Sequence, residues 1–264
     1  MKNVIGIRGH RGAGKTTISY LIGNTIDYLI KNKEIKDDFN QLYRTWCDDI
    51  IGDEKIIHNC NLDYVYFDSF SDTLKIWIVL LIGCPKDYLY DDYYKDHMVI
   101  NMKDFSYQVY DELPKNILTH NELYELMPKD KNPTTITKNI YISLRDFILY
   151  FGMDVMQRYF GANVWIKTLK NSSTFYNSLF ENDESYKVFM DVKTPGEITY
   201  IKNDKKGKII KVSRPGYKKI SKGIDKLNQD TRYDYEIVVN GDLYDTKGQI
   251  VKIVKQIIYG DEDN

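Results

Sequence analysis

The chain has 264 residues, with 37 basic against 38 acidic side chains and a formal net charge of −1. That balance gives no global positive field and argues against a nucleic-acid partner, while the length suits one large α/β domain or a core with an inserted lid. The longest apolar run, Ile76 to Gly83, is far shorter than the about 20 residues that span a bilayer, and the apolar run within residues 1–8 is too short for a signal peptide, so a cytoplasmic protein without a membrane partner is expected.

Tyrosine is abundant at 23 residues, a bias from which no chemistry follows. Cys47, Cys60 and Cys84 are odd in number and widely spaced, which fits neither a disulfide framework nor a metal site and predicts reduced thiols.

Residues 3–8 (NVIGIR) predict a buried strand opening into glycines. A helix follows from Lys15, with Ile18, Leu21, Ile22, Ile26 and Leu29 on one face. Residues 33–60 are polar and carry no assignment. Residues 63–67 (DYVYF) predict a second strand, and Ser71 can cap a helix through Leu74 and Ile78 to Gly83. Residues 86–138 are charged, Tyr-rich and broken by Pro114, Pro128 and Pro133, which predicts short helices and loops forming a substrate-covering region. A helix over 139–151 shares Leu144, Phe147, Ile148 and Phe151 on one face. Gly152 interrupts it, and a second helical stretch runs through Trp165 to about Leu169. Residues 171–185 predict an inserted surface segment. Strands over 187–191, 208–213 and 235–239 then alternate with a helical turn at 196–203 and a basic loop, and a final helix carries Ile250, Ile253, Val254, Ile257 and Ile258 on one face. Strands alternating with helices imply a parallel sheet covered on both sides.

One motif carries chemistry. Gly9-His10-Arg11-Gly12-Ala13-Gly14-Lys15-Thr16-Thr17 fits G-x-x-x-x-G-K-[ST] in full. The glycines admit a tight loop and close backbone approach. Its N–H groups, at the start of a helix, form an anion nest. Lys15 reaches the β- and γ-phosphates, and the Thr16 hydroxyl coordinates Mg²⁺. The nucleotide-binding set is therefore Gly9, Arg11, Gly12, Ala13, Gly14, Lys15, Thr16 and Thr17, with ATP and Mg²⁺ as the implied ligands.

A GTPase would need an N-K-x-D motif, which the chain lacks, and its two D-x-x-G matches, Asp204–Gly207 and Asp245–Gly248, fall in polar contexts. A translocating ATPase would show a strand ending in Asp-Glu, whereas Asp191 is followed by Val192. Asp191 ends a buried strand, at the sheet edge where ligands bind in open parallel sheets. It is a candidate for holding a Mg²⁺-bound water or orienting the acceptor phosphate, the alternative being a cap on the turn near Pro195. Lys193 would face the same cleft, or be a solvated loop lysine. Arg145 and Arg158 are candidates for steadying transferring phosphate oxygens, or surface arginines paired with Asp146 and Asp154. His10, His58, His97 and His120 are scattered without metal-ligand spacing.

The segments taken in order resemble the bacteriophage-type deoxynucleoside monophosphate kinases, within the adenylate-kinase-like branch of phosphate-loop kinases. Besides the loop, these are Phe67-Asp68-Ser69-Phe70-Ser71-Asp72-Thr73-Leu74-Lys75; Leu144-Arg145 through Gly152-Met153-Asp154, Arg158 and Trp165; Asp191-Val192-Lys193 with Glu197; Arg214-Pro215-Gly216; and Tyr235 to Gly241. The resemblance covers nearly the whole chain except 86–138 and 171–185. It implies an α/β three-layer sandwich of the P-loop type with an about five-stranded, mainly parallel sheet, as one domain over 1–264 with a helical insertion at 86–138. The implied activity is transfer of the γ-phosphate of ATP to a nucleoside or deoxynucleoside monophosphate, and homodimerisation is left open. Lys75, Arg145 and Arg158 are implied to bind phosphate or acceptor, and Gly152, Met153 and Trp165 to lie near the acceptor base and sugar. Asp191 and Lys193 are implied at the transfer site, with Glu197 beside the acceptor and Asn240 near the donor base. The chain departs from the family pattern at Met153 for Thr, Leu149 for Gln and Lys193 for Arg. Those departures keep open a nucleotide-binding protein without transfer, or a kinase for another acceptor such as dephospho-coenzyme A or a nucleoside.

Overall fold

The computed structural model describes residues 3–10, 12–53, 56–126, 136, 138–170, 185–216 and 232–260. The chain divides into two compact units: Met1–Phe70 with Ser172–Asn264, and Ser71–Asn171.

The first unit is built on a five-stranded, all-parallel sheet. Its strands are β1 (Asn3–Gly9), β2 (Val65–Asp68), β6 (Tyr186–Phe189), β7 (Lys208–Ser213) and β8 (Tyr235–Val238), in the order β2-β6-β1-β7-β8. Pairing is in parallel register, with Ile5 opposite Val188 on one side and Lys208 on the other. Side chains alternate across the sheet because the strand period is two. Ile5, Ile7, Val188, Ile210, Val212 and Ile237 therefore share one core with α1 (Lys15–Asn32), α2 (Phe39–Gly52) and α11 (Lys247–Tyr259). On the opposite face, a Cβ built at Gly6 would lie 2.6 Å from Ile201 and 2.8 Å from Ile209. There Phe70 stacks on Phe189 with ring centres 4.6 Å apart, beside α10 (Pro195–Thr199) and the π-helical turn Tyr200–Asp204. The sheet is thus covered by helices on both faces, as the alternating pattern predicts.

Helix α2 occupies part of the stretch that sequence left unassigned, and the four-residue α3 (Ile56–Asn59) follows it. Phe39, Tyr43, Trp46, Cys47 and Ile50 line its inner face, with Tyr43 hydroxyl and Thr246 hydroxyl 3.0 Å apart. The three cysteines are free, and burial pushes the Cys47 and Cys60 thiols up to about 11. They stay protonated and inert at neutral pH.

The second unit differs from the helical insertion expected at 86–138. It contains a three-stranded antiparallel sheet, β4-β3-β5, of β3 (Met98–Asn101), β4 (Tyr107–Val109) and β5 (Tyr141–Ser143). Around it lie α4 (Asp72–Ile82), a 3₁₀ turn (Lys86–Leu89), α5 (Asp92–His97), α6 (His120–Leu126) and α7 (Leu144–Leu149). Leu74, Ile78 and Ile82, one turn apart on α4, enter its core with Met98, Ile100, Ile142, Leu144 and Phe147. The helix expected from 139 begins only at Leu144, because 141–143 pair with β3. Gly152 does not break it: α7 continues as a π-helix over Tyr150–Gln157, then α8 (Arg158–Phe160) and a helix over 164–170, α9. A Cβ at Gly152 would meet the end of the Leu74 side chain at 2.7 Å, so the helix packs closely on α4 here. Gly83 ends α4 in the left-handed region with its N–H on the Val79 carbonyl, as expected, while Ser71 precedes the helix without a side-chain cap bond. The inserted segment expected at 171–185 lies, apart from Ser185, outside the described residues, as does most of the basic loop, 217–231. Among the described residues, no helix is long and apolar enough to cross a membrane.

Candidate active site

Because the large sheet is parallel, all five strands end along one edge. Gly9 is at its middle, with Asp191 just past β6 on one side and Arg214 just past β7 on the other. Gly9 is required by the neighbouring strand, since a Cβ there would lie 2.4 Å from the Val212 carbonyl oxygen. The chain then turns back on itself, Ala13 N–H donating to the His10 carbonyl at 3.1 Å. Gly12 and Gly14 take φ of 76° and 86°, left-handed values that cost little only for glycine. Gly14 is the N-cap of the 18-residue α1 and supplies no side-chain cap bond. The first-turn amides at Lys15, Thr16 and Thr17 therefore begin a long helix with its positive end at the loop. Arg11 lies outside the described residues.

Lys15 Nζ donates to the His10 carbonyl at 3.0 Å and sits 3.6 Å from the Asp191 carboxylate. Lys193 Nζ reaches the other Asp191 oxygen at 2.5 Å. Adjacency of β6 and β1 brings this about. Val192 N–H bonds the Ile7 carbonyl at 2.9 Å, extending the ladder past the last strand residue and holding Asp191 beside the loop. The expected strand end at Asp191 is thus a ladder extension two residues past Phe189.

Glu197 has a structural position. It is 8% exposed, and its Oε2 accepts from Lys193 N–H at 2.6 Å and Thr194 N–H at 2.9 Å. Thr194 Oγ1 in return accepts from Glu197 N–H at 3.2 Å, completing a capping box with Pro195 at the first turn of α10. Burial raises its carboxyl above the ordinary range, against the backbone N–H bonds and Lys193, which lower it. T-x-x-E is a capping-box signature that sequence reading passed over, and Glu197, expected beside the acceptor, makes these backbone bonds. Sequence reading also passed over Arg8, a guanidinium 2% exposed on β1 one residue before the loop. Its signal was a charge inside an otherwise apolar strand. Asn240, exposed just past β8, ends the same edge.

The other expected residues belong to the second unit. Lys75 bonds Asp72 at 3.2 Å and lies 3.8 Å from the Tyr90 ring centre. Arg145 is held by Asp96 through two bonds, one of 2.9 Å, and by Asp92 at 3.2 Å. Its partners are thus on α5, and not Asp146, which accepts from Ser143 and lies 3.2 Å from His120 Nδ1. Arg158 lies 5.4 Å from the Tyr124 ring centre. Burial raises the Asp154 carboxyl, with His120 and Arg158 opposing. Met153 is half-buried on the π-helix, and Trp165 is packed in the core of this unit.

Among the described residues no group of three or more His, Cys, Asp or Glu could hold a metal by itself. No family model matches the chain, and no curated protein matches it.

Proposed function

We propose that the chain binds ATP with Mg²⁺ at the Gly9–Thr17 loop and transfers the γ-phosphate to a nucleoside or deoxynucleoside monophosphate. The observation that carries this reading is the placement of Lys15 and Asp191. A glycine loop that fits the full phosphate-binding motif enters a long helix at the middle of a parallel-sheet edge, with a lysine and a carboxylate 3.6 Å apart beside it. Backbone N–H groups and the α1 dipole hold the phosphates, and Lys15 turns from the His10 carbonyl and Asp191 to the β- and γ-oxygens. Thr16 would hold Mg²⁺, with Asp191 holding a water on the ion or orienting the acceptor phosphate, and the ion would supply positive charge against the phosphate oxygens. An acceptor phosphate oxygen forms the new bond to the γ-phosphorus as the β–γ bridging bond breaks, releasing ADP. Lys193 lies on Asp191 at the transfer side. The resemblance would assign Lys75, Arg145 and Arg158 to phosphate or acceptor binding, Gly152, Met153 and Trp165 to the acceptor base and sugar, and Asn240 to the donor base. Catalysis on this reading is positioning and electrostatics.

The test is ADP formation from ATP-Mg with each common ribo- and deoxyribonucleoside monophosphate in turn. Acceptor-dependent ADP supports the kinase and names its substrate. A second reading, nucleotide binding without transfer, is favoured by one observation: Lys75 and Arg145 are already engaged by Asp72, Asp92 and Asp96. ATP binding with no acceptor stimulation would select it, while ADP formed only with dephospho-coenzyme A or a nucleoside would name a different acceptor.

A further inference from the structure

We infer that Glu197 is a positioning residue for the nucleotide site: its buried carboxylate fixes the backbone at Lys193 and Thr194 so that Asp191 is held between Lys15 and Lys193 before nucleotide arrives. The inference rests on the reading of the loop as an ATP-Mg site and deepens it.

The segment Asp191–Thr194 connects β6 to α10, and such a connection has no ladder of its own to set its shape. Two anchors do so instead. On the strand side, Val192 N–H is bonded to Ile7 of β1 at 2.9 Å. On the helix side, Lys193 N–H and Thr194 N–H both end on one oxygen of Glu197, at 2.6 and 2.9 Å. The second anchor is the more confining, because one oxygen accepts from two successive backbone N–H groups. It is also itself fixed: the Glu197 backbone is bonded to Thr194 Oγ1, Ile198 N–H bonds the Thr194 carbonyl at 3.1 Å, and Ile198 of α10 and Ile201 of the turn after it are buried. An ordinary helix cap would gain as much from an exposed carboxylate. Here the carboxylate is buried, in a place where desolvation works against its charge, and its two donors immediately follow the Asp191–Val192 step. What that arrangement secures is the direction of two side chains, Asp191 toward Lys15 at 3.6 Å and Lys193 toward Asp191 at 2.5 Å. A group holding a metal or phosphate partner in this way acts through the partner, and losing such outer-shell support typically costs about 10- to 100-fold in metal affinity or activity.

The experiment is equilibrium binding of ATP with and without Mg²⁺ to the wild-type chain, Glu197→Ala, Glu197→Gln, Asp191→Asn and the Glu197→Ala/Asp191→Asn pair, each shown folded by thermal melting. The expected result is that Glu197→Ala loses about 10-fold of the Mg²⁺-dependent gain in ATP affinity. Glu197→Gln, which keeps one acceptor oxygen for the same two N–H groups, should stay within about threefold of wild type. In the Asp191→Asn background Glu197→Ala should add nothing, because coupled residues are not additive. A folded Glu197→Ala that keeps the wild-type Mg²⁺ gain overturns the inference, as does an equal loss with and without Asp191. Failure of the wild-type chain to bind ATP at all is a different outcome: it overturns the nucleotide reading itself. If Glu197→Ala does not fold, Glu197→Asp replaces it, withdrawing the carboxylate by one methylene while keeping its charge, with the same loss expected and the same results overturning the inference.

Discussion

Replacing Asp191 by Asn should make ATP bind more tightly when Mg²⁺ is absent and less tightly when it is present. Lys15 has two tasks in the structure, holding the His10 carbonyl and facing Asp191 at 3.6 Å, and it must leave Asp191 to reach a triphosphate. At about 4 Å and an effective dielectric near 20, the bare attraction of such a pair is roughly 4 kcal/mol. Much of that is returned as desolvation. The Asp191 side chain keeps 27% of its exposure and Lys15 13%, so the net value should fall toward the about 1 kcal/mol measured for partly solvated pairs. Removing the charge while keeping the shape should therefore strengthen Mg²⁺-free ATP binding about fivefold. The gain should shrink as salt is raised, since the Debye length falls to about 3 Å at 1 M. With Mg²⁺ the same change removes an oxygen proposed to hold the ion, and affinity and turnover should both drop. Calorimetric titration with ATP, with Mg²⁺ and with chelator, at low and high salt, reads both signs. If Asp191→Asn binds Mg²⁺-free ATP no better than wild type while remaining folded, the carboxylate is not competing for Lys15 and the reasoning is wrong.

Lys15→Ala should reduce turnover at least ~100-fold, as removal of one preorganised electrostatic donor does; near-normal turnover would contradict its assignment. Gly9→Ala should destabilise the first unit by about 1–3 kcal/mol, because its Cβ would sit 2.4 Å from a backbone carbonyl that belongs to a paired strand, whereas Gly52→Ala, with open space around it, should be neutral or slightly stabilising. Thermal melting separates them, at roughly 2–4 °C per kcal/mol. Glu236 has its carboxyl lowered, chiefly by Lys211 at 2.8 Å and then by Ser213, so it contributes stability above the ordinary glutamate value of 4.5 that is lost as pH falls through its folded value. Urea midpoints at neutral and acid pH should show wild type losing more stability on acidification than Lys211→Met, and equal losses would remove Glu236 from the account.

The loop and the sheet were legible because each rests on short-range pattern. Strands β1, β7 and β8 are runs of branched residues with clear edges, and the glycines before Lys15 answer to one local geometry. Helix α2 was missed for a physical reason. Its inner stripe of Phe39, Tyr43, Trp46, Cys47 and Ile50 has helical spacing, but the intervening Asn40, Gln41, Arg44, Thr45, Asp48 and Asp49 dominate the composition. Strands β3, β4 and β5 have three or four residues each, too few for a period of two to declare itself. Met98, Val99 and Ile100 are all buried, so no alternation was there to read. Residues 141–143 look helical from their neighbours and become a strand only because Val99 and Ile100 lie opposite. In the candidate site, the glycine turn into α1 and the place of Asp191 past a strand end were readable as local structure, while the carboxylates that hold Arg145 come from α5, some fifty positions away in sequence, a pairing no local pattern encodes.

The strand order also imposes a sequence of events on a nascent chain. β1 emerges first, yet its two neighbours in the sheet begin at Tyr186 and Lys208, and β2 too must wait for Tyr186. The contiguous unit Ser71–Asn171 can close its own core while these early strands still lack partners. Until then Ile5 and Ile7 have no sheet in which to be buried, and an unpaired apolar strand of this kind is open to aggregation.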